Sequence, residues 1–291
     1  MLIIELLSTA FRESFSQRQT PREPEPTMAM EVTESVEAYR DAGAPNGPMA
    51  GVYLFSVARA SQALHGCRRV VDLGCGPARF LAQVALLNPE IEFLGVDLSD
   101  AMLASAAEHL TALGIRNVKL QKGDITDLSF FRSKSFDGVM STLALHHLPT
   151  MKHLRLCFQE VHRILADDGA LYLFDLGRPK SLKTILAMAY IHEERQAHAF
   201  SVDSERSWRA AFLPEDFRTL AAEALPDRDL ECLSTWISPL MMMLKSRDRA
   251  LDPEKIGKLK AARKNLSSFC RSDLDQLRYF FKRNGLQNDL F

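Results

Sequence analysis

Cysteine is sparse and scattered. Cys67, Cys75, Cys157, Cys232 and Cys270 form no Cys-x-x-Cys pair, and no histidine accompanies them at zinc spacing. That pattern points away from a disulfide framework and a metal site, so no metal is expected and a reducing cytoplasm is the expected compartment. Long apolar runs are also missing. The apolar start Met1–Leu7 is broken by Glu5, lacks a basic flank and is far too short to span a bilayer. Neither a membrane span nor a secretory signal is therefore expected. Charge of one sign is absent too, with 36 Lys and Arg against 37 Asp and Glu in 291 residues. Nothing global attracts nucleic acid or an anionic surface, and no nucleic-acid partner is expected. The one methionine run, Met241–Met243, has no other soft ligand nearby and reads as strand core rather than a copper site.

What is present is concentrated in one stretch. Val70-Val71-Asp72-Leu73 has the apolar character of a buried strand end, and Gly74-Cys75-Gly76-Pro77 follows as a glycine-rich turn. The segment from Phe80 to Leu87 then reads as a helix. Such a unit lets the backbone approach a ligand and offers it the free N–H groups of a helix start. Twenty-one residues past Gly76, Asp97 closes a second apolar run, Ile91–Val96. An acid at that spacing is placed to accept hydrogen bonds from a ribose diol.

These residues resemble the class I S-adenosylmethionine-dependent methyltransferases. That family's Asp-Leu-Gly-x-Gly-x-Gly stands here as Asp72–Ala78, with Ala78 in place of the third glycine. The likeness continues through Gly95–Ser99, Gly123–Ile125, Phe136–Ser141 and Leu165–Leu173, covering roughly residues 50–245. A plain NAD-binding domain is the rival, but its fingerprint lacks the leading Asp-Leu and does not predict Gly-Asp-Ile at the third strand. The resemblance implies an α/β fold: a Rossmann-like three-layer sandwich around a seven-stranded, mostly parallel sheet whose last strand is antiparallel. The alternation of strand and helix patterns agrees with a parallel sheet.

Four regions are expected. Residues 1–30 read as a flexible extension, with the proline-rich Thr20–Thr27 disordered or extended. A chain beginning at Met28 is expected to fold and bind cofactor as well as the whole. Residues 31–66 read as a helical lid, residues 67–248 as the cofactor-binding domain, and residues 249–291 as a basic helical tail. A long helix is expected over Ser181–His198, and the final helix is expected to open at Ser272–Asp275. Residues 251–291 of the tail hold nine Lys or Arg against five acids, which suits a solvated surface pair or a docking element.

The resemblance also implies roles. S-adenosyl-L-methionine is the cofactor. Asp72 orients its methionine end, and Gly74, Cys75, Gly76 and Arg79 belong to the loop beneath it. Asp97 takes the ribose hydroxyls, Leu98 and Met102 flank the adenine, Asp124 and Ile125 meet its amino group and face, and Ser141 closes the fourth strand. Asp72, Asp97 and Asp124 also have plainer readings as turn or cap residues. After the fourth strand, the Asn/Asp-Pro-Pro-Tyr of amino-methylating branches is absent. Leu145-His146-His147-Leu148 instead resembles the branch that includes ubiquinone, menaquinone and natural-product methyltransferases. His146 or His147 serves there as a base or as a structural cap; both readings stay open. Tyr39, Tyr53 and Arg178 are substrate candidates, with a rim salt bridge as the alternative for Arg178. The expected acceptor is a small molecule. The alternatives are a peptide or protein docked by the tail and a non-catalytic cofactor-binding partner protein; a homodimer is possible.

Overall fold

The computed structural model describes residues 2–16, 19–26, 41–236 and 238–291. Its elements run α1 (Leu2–Phe15), α2 (Ala50–Ala63), β1 (Arg69–Leu73), α3 (Arg79–Leu87), β2 (Glu92–Asp97) and α4 (Asp100–Ala112). They continue with β3 (Val118–Lys122), β4 (Phe136–Thr142), α5 (Met151–Ile164), β5 (Leu165–Leu176), α6 (Leu182–Tyr190) and α7 (His198–Ala210). The chain closes with α8 (Pro214–Ala224), β6 (Leu230–Ser234), β7 (Met241–Ser246), α9 (Pro253–Asn265) and α10 (Ser268–Arg283). Local chemistry sets several starts: Ser99, Thr150 and Ser267 cap α4, α5 and α10 by accepting a backbone N–H three residues on. No helix among the described residues is long and apolar enough to cross a membrane.

The seven strands form one sheet in the order β3-β2-β1-β4-β5-β7-β6, and only β7 runs antiparallel to its neighbours. Alternate residues of the central strands feed two cores. Val70, Met140, Tyr172 and Met243 pack with α2, α3 and α10 on one face; Val71, Val139, Leu173 and Met242 pack with α5 and α8 on the other. This is the three-layer sandwich expected from the sequence. The order reverses on either side of β1 and β4, so the C-terminal ends of β1, β2 and β4 open onto a crevice suited to a ligand.

The expected helix bounds, the tail and residues 19–26 need correction. The helix expected over Ser181–His198 breaks after Tyr190 and resumes at His198; Gln196 holds the corner by donating to the Ala189 carbonyl and to Ser201 Oγ. The final helix starts at Ser268, because Ser267 supplies the cap ahead of the Ser272–Asp275 pattern.

The tail, second, is no solvated pair. Phe281 is fully buried, stacked on Phe55 at 5.1 Å between ring centres and close to Phe174. Helices α2 and α10 meet so tightly that a Cβ on Gly51 would lie 2.3 Å from the Cys270 carbonyl oxygen. Much of the tail's positive charge is paired: Lys255 with Glu90 of the α3–β2 loop, Arg263 and Arg278 with Asp275, and Lys282 with Asp289. Phe281→Ala should therefore cost about 3–5 kcal/mol, the usual range for emptying a buried aromatic site. Urea unfolding reads this directly, and a loss below about 1 kcal/mol would return the tail to the surface.

Residues 19–26, third, are extended but not free. Thr20 N–H donates to the Lys180 carbonyl and Glu23 N–H to the Arg209 carbonyl. The Arg22 guanidinium donates to the carbonyls of Ala210, Pro149, Leu148 and His146, and lies over the Phe212 ring. Proline removes internal ladder bonds here, as the composition suggested. Long-range side-chain bonds replace them and turn the stretch into a strap. Tyr39 and the rest of residues 27–40, including the start of the expected lid, lie outside the described residues.

Candidate active site

A cavity of about 400 Å³ opens over the ends of β1, β2 and β4. The glycine turn forms its floor. Gly74, Gly76 and Ala78 all have positive φ (75°, 52° and 56°), the backbone conformation glycine tolerates best. A Cβ at Gly74 would sit 2.5 Å from the Ala144 Cβ, so this position must be glycine for the two loops to approach. Gly76 faces open space, with nothing within 4 Å of where its Cβ would be. The turn thus leaves a cradle that a side chain would fill.

Two carboxylates meet at this floor. The Asp97 carboxylate accepts from the backbone N–H of Gly76 at 2.8 Å and of Ser99 at 2.9 Å, which ties the end of β2 to the turn. Burial pushes its pKa up despite those bonds. Asp72, 2% exposed, presents a carboxylate oxygen, Oδ1, with no hydrogen-bond partner among the described residues. Burial, reinforced by the negative charge of Asp97, pushes Asp72 up to about 8. A buried acid left unsatisfied beside a second acid is a site prepared for a cation. Leu98, Met102, Asp124 and Ile125 continue the wall on this side. Asp124 Oδ1 already accepts from the Thr126 N–H and hydroxyl, an Asx turn that fixes the carboxylate's direction.

Most of the residues singled out from the sequence converge here. Cys75 and Arg79 line the cavity, and the Arg79 guanidinium is held 2.8 Å from His109 Nδ1. Tyr53 lines it from α2, tilted on Phe80, and burial raises its phenol to about 12. Two do not converge. Ser141 is buried behind β4 and spends its hydroxyl on the Leu73 carbonyl, away from the cavity wall. Arg178 is also buried outside the cavity lining, and among the described residues its Nε and Nη1 are unpaired and it makes no rim salt bridge.

The far end of the cavity is different in character. The turn Leu145–His147 carries two imidazoles whose ring centres are 4.1 Å apart. His146 is 2% exposed, and its Nδ1 lies 2.6 Å from Asp175 Oδ1. The other Asp175 oxygen accepts from the backbone N–H of Leu145 and His146, so one carboxylate organises the whole turn. Burial opposes the imidazolium, but Asp175 outweighs it and raises the His146 pKa above the ordinary value. His146 lines the cavity, and its buried Nε2 has no partner among the described residues. His147 Nδ1 lies 2.7 Å from Glu25 Oε2 of the strap. Around them stand Phe200, Trp208, Trp236 and Phe280, from α7, the β6–β7 turn and α10. Sequence reasoning did not make Asp175 the partner of His146, and it missed Glu25 altogether.

Residues 64–224 match the methyltransferase domain family, more than half of the chain. The chain belongs to that family. A tRNA (guanine-N(7)-)-methyltransferase of Geobacillus kaustophilus is 33% identical over 112 residues, 35% of this chain and 50% of that protein. A malonyl-[acyl-carrier protein] O-methyltransferase of Legionella pneumophila is 33% identical over 131 residues, 45% of this chain and 43% of that one. The chain thus spans about half the length of the curated relatives it matches. Among solved structures, the plantazolicin methyltransferase BpumL in complex with SAH superimposes with a TM-score of 0.56 at 15% identity, over 92% of this chain and 93% of that one. At such identity the likeness speaks for the fold, including the helices outside the central sheet.

Proposed function

We propose that the chain transfers a methyl group from S-adenosylmethionine to a small, largely apolar acceptor. One observation carries the reading: the unpartnered Asp72 carboxylate beside Asp97, set over a glycine turn that leaves its cradle empty. S-adenosylmethionine brings a sulfonium and an ammonium, and it supplies an already electrophilic methyl. Asp72 would hold the cationic methionine end, and Asp97 would use its remaining lone pairs for the ribose hydroxyls. Gly74, Cys75 and Gly76 would pass beneath, and Leu98, Met102, Asp124 and Ile125 would enclose the adenine. The chain's remaining work is to orient the acceptor and exclude water, a positioning effect of up to about 7–11 kcal/mol. His146 Nε2 would take the acceptor's proton, with Asp175 stabilising the imidazolium that forms. The aromatic far wall supports an apolar acceptor. The tail's pairing and packing weigh against its use as a docking arm for a protein.

The test begins with SAH, the demethylated product, titrated calorimetrically into the full chain. Asp97→Ala should weaken binding by about 1.5–3 kcal/mol, and Gly76→Val, which fills the cradle, should abolish it in a folded protein. Unchanged affinity in both variants would remove the assignment. Labelled S-adenosylmethionine and fractionated cell extract then locate the acceptor in either the low-molecular-weight or the protein fraction.

Asp72 adds a pH signature. Its carboxyl holds a proton below about 8 in the empty site, and a cationic ligand binds the ionised form. Binding below that value must expel the proton, so affinity should rise with pH, by up to about tenfold per unit, and level off near 8. Asp72→Asn should flatten the dependence as well as weaken binding.

A further inference from the structure

The strap reaches deeper into the site than an anchor needs to. Glu25 sits between two cavity-lining side chains: Oε2 lies 2.7 Å from His147 Nδ1, and Oε1 accepts from Ser207 Oγ at 2.8 Å. Its side chain is only 9% exposed. Three residues earlier, Arg22 bonds the carbonyls of His146, Leu148 and Pro149, the same turn that presents both imidazoles. Farther up, buried Glu13 accepts from the N–H groups of Lys180 and Ser181 and from the Ser238 hydroxyl. Arg22 thus grips the histidine turn, Glu13 grips the Lys180–Ser181 and Ser238 loops, Glu25 joins the histidine turn to α7, and among the described contacts none of the three grips the glycine turn.

We propose that Glu25 is a positioning residue of the acceptor site, and that this site is complete only while the strap is docked. The proposal rests on the methyl-transfer reading above for its acceptor, but not for its geometry. A carboxylate on Nδ1 fixes the proton there and leaves Nε2 of His147 as a hydrogen-bond acceptor, the logic by which an orienting carboxylate selects an imidazole tautomer. Asp175 does the same for His146 from β5. The two adjacent imidazoles are thus oriented by carboxylates from opposite ends of the cavity wall, one on the sheet and one on the strap. Although burial opposes ionisation of Glu25, its bond to His147 outweighs it and holds the acid down at about 2, so the carboxylate stays ionised across the working range. His147 then offers a fixed lone pair beside the Nε2 of His146, where an acceptor's hydroxyl or amine can be oriented while its proton leaves.

The experiment uses the full chain with nitrogen-15-labelled histidine, SAH as the cofactor-site probe, and labelled methyl transfer to the active extract fraction. Glu25→Gln keeps the size and the Ser207 contact but removes the charge. It should bind SAH as the parent does, lose the single Nδ1–H tautomer of His147 and lower transfer at least tenfold, mostly in kcat. Glu25→Asp should recover the tautomer and part of the rate. Parental transfer by Glu25→Gln, or an unchanged tautomer, would overturn the proposal. So would a parent enzyme that chelator inactivates and zinc restores, because Glu25, His146 and His147 each offer a donor atom, all within 4.8 Å of one another, and would then be serving an ion. Failure of the parent to bind SAH would instead strike the methyl-transfer reading, with the tautomer still reporting on Glu25.

Discussion

Replacing His146 with alanine is expected to slow methyl transfer by about 10²–10⁴-fold, the usual contribution of a general base. SAH affinity should not change, because the cofactor floor is built from other loops. The rate should also carry an ascending limb. A general base would work as the neutral imidazole, and Asp175 raises the His146 pKa above the ordinary histidine value, so activity should be low where the ring is charged and climb as pH passes that raised midpoint. Asp175→Asn removes the partner at 2.6 Å and should move the midpoint down while lowering the rate. A variant lacking the imidazole that stays within a fewfold of the parent would leave positioning as the whole mechanism. A flat pH profile near neutrality would say the same.

A chain beginning at Met28 is expected to fare much worse than the sequence alone suggested. It lacks Arg22, whose guanidinium makes four bonds to loop carbonyls and covers the Phe212 ring. Charge-assisted bonds of this kind are worth about 1.5–3 kcal/mol together after desolvation. It also lacks Glu13 and Glu25, leaving the N–H groups of Lys180 and Ser181 and the hydroxyls of Ser207 and Ser238 without those partners. Melting should fall by more than about 5 °C, given roughly 2–4 °C per kcal/mol at this size. Methyl transfer should be lost while SAH affinity is largely kept. A truncated protein that melts and turns over like the parent would show that the strap is packing without consequence.

Legibility followed distance along the chain. The sheet, the glycine turn and the Asp97 position could be read because each is local: a few residues of strand, a turn and the next strand's end carry the whole pattern. Asp97 meets Gly76 across only 21 residues, and the family spacing encodes that meeting. The pairing of His147 with Glu25 spans 122 residues, and that of His146 with Asp175 spans 29 with a helix between. No periodicity records such contacts. The strap misled for a physical reason, since proline and charge do exclude ladder structure, yet they do not exclude side-chain anchoring. The tail misled because its charge was counted without its partners, which lie on the same helix or its neighbours. Ser141 was placed on the right strand but faces the wrong way: its hydroxyl turns back onto β1.

The strap's anchors have a consequence for how the molecule is made. Arg22 waits for partners 124 to 188 residues downstream, and Thr20 for one 160 residues away. During synthesis the first 26 residues leave the ribosome long before α7 exists. The loop they must close is among the longest in the fold, and such closures come late because their entropy is repaid only by contacts already in place. The order of manufacture and the order of assembly are therefore opposed: the segment made first is the one that docks last. On the function proposed above, a nascent or heat-stressed molecule would hold cofactor on its sheet before it could act on an acceptor, and competence for transfer would arrive as the final step of folding.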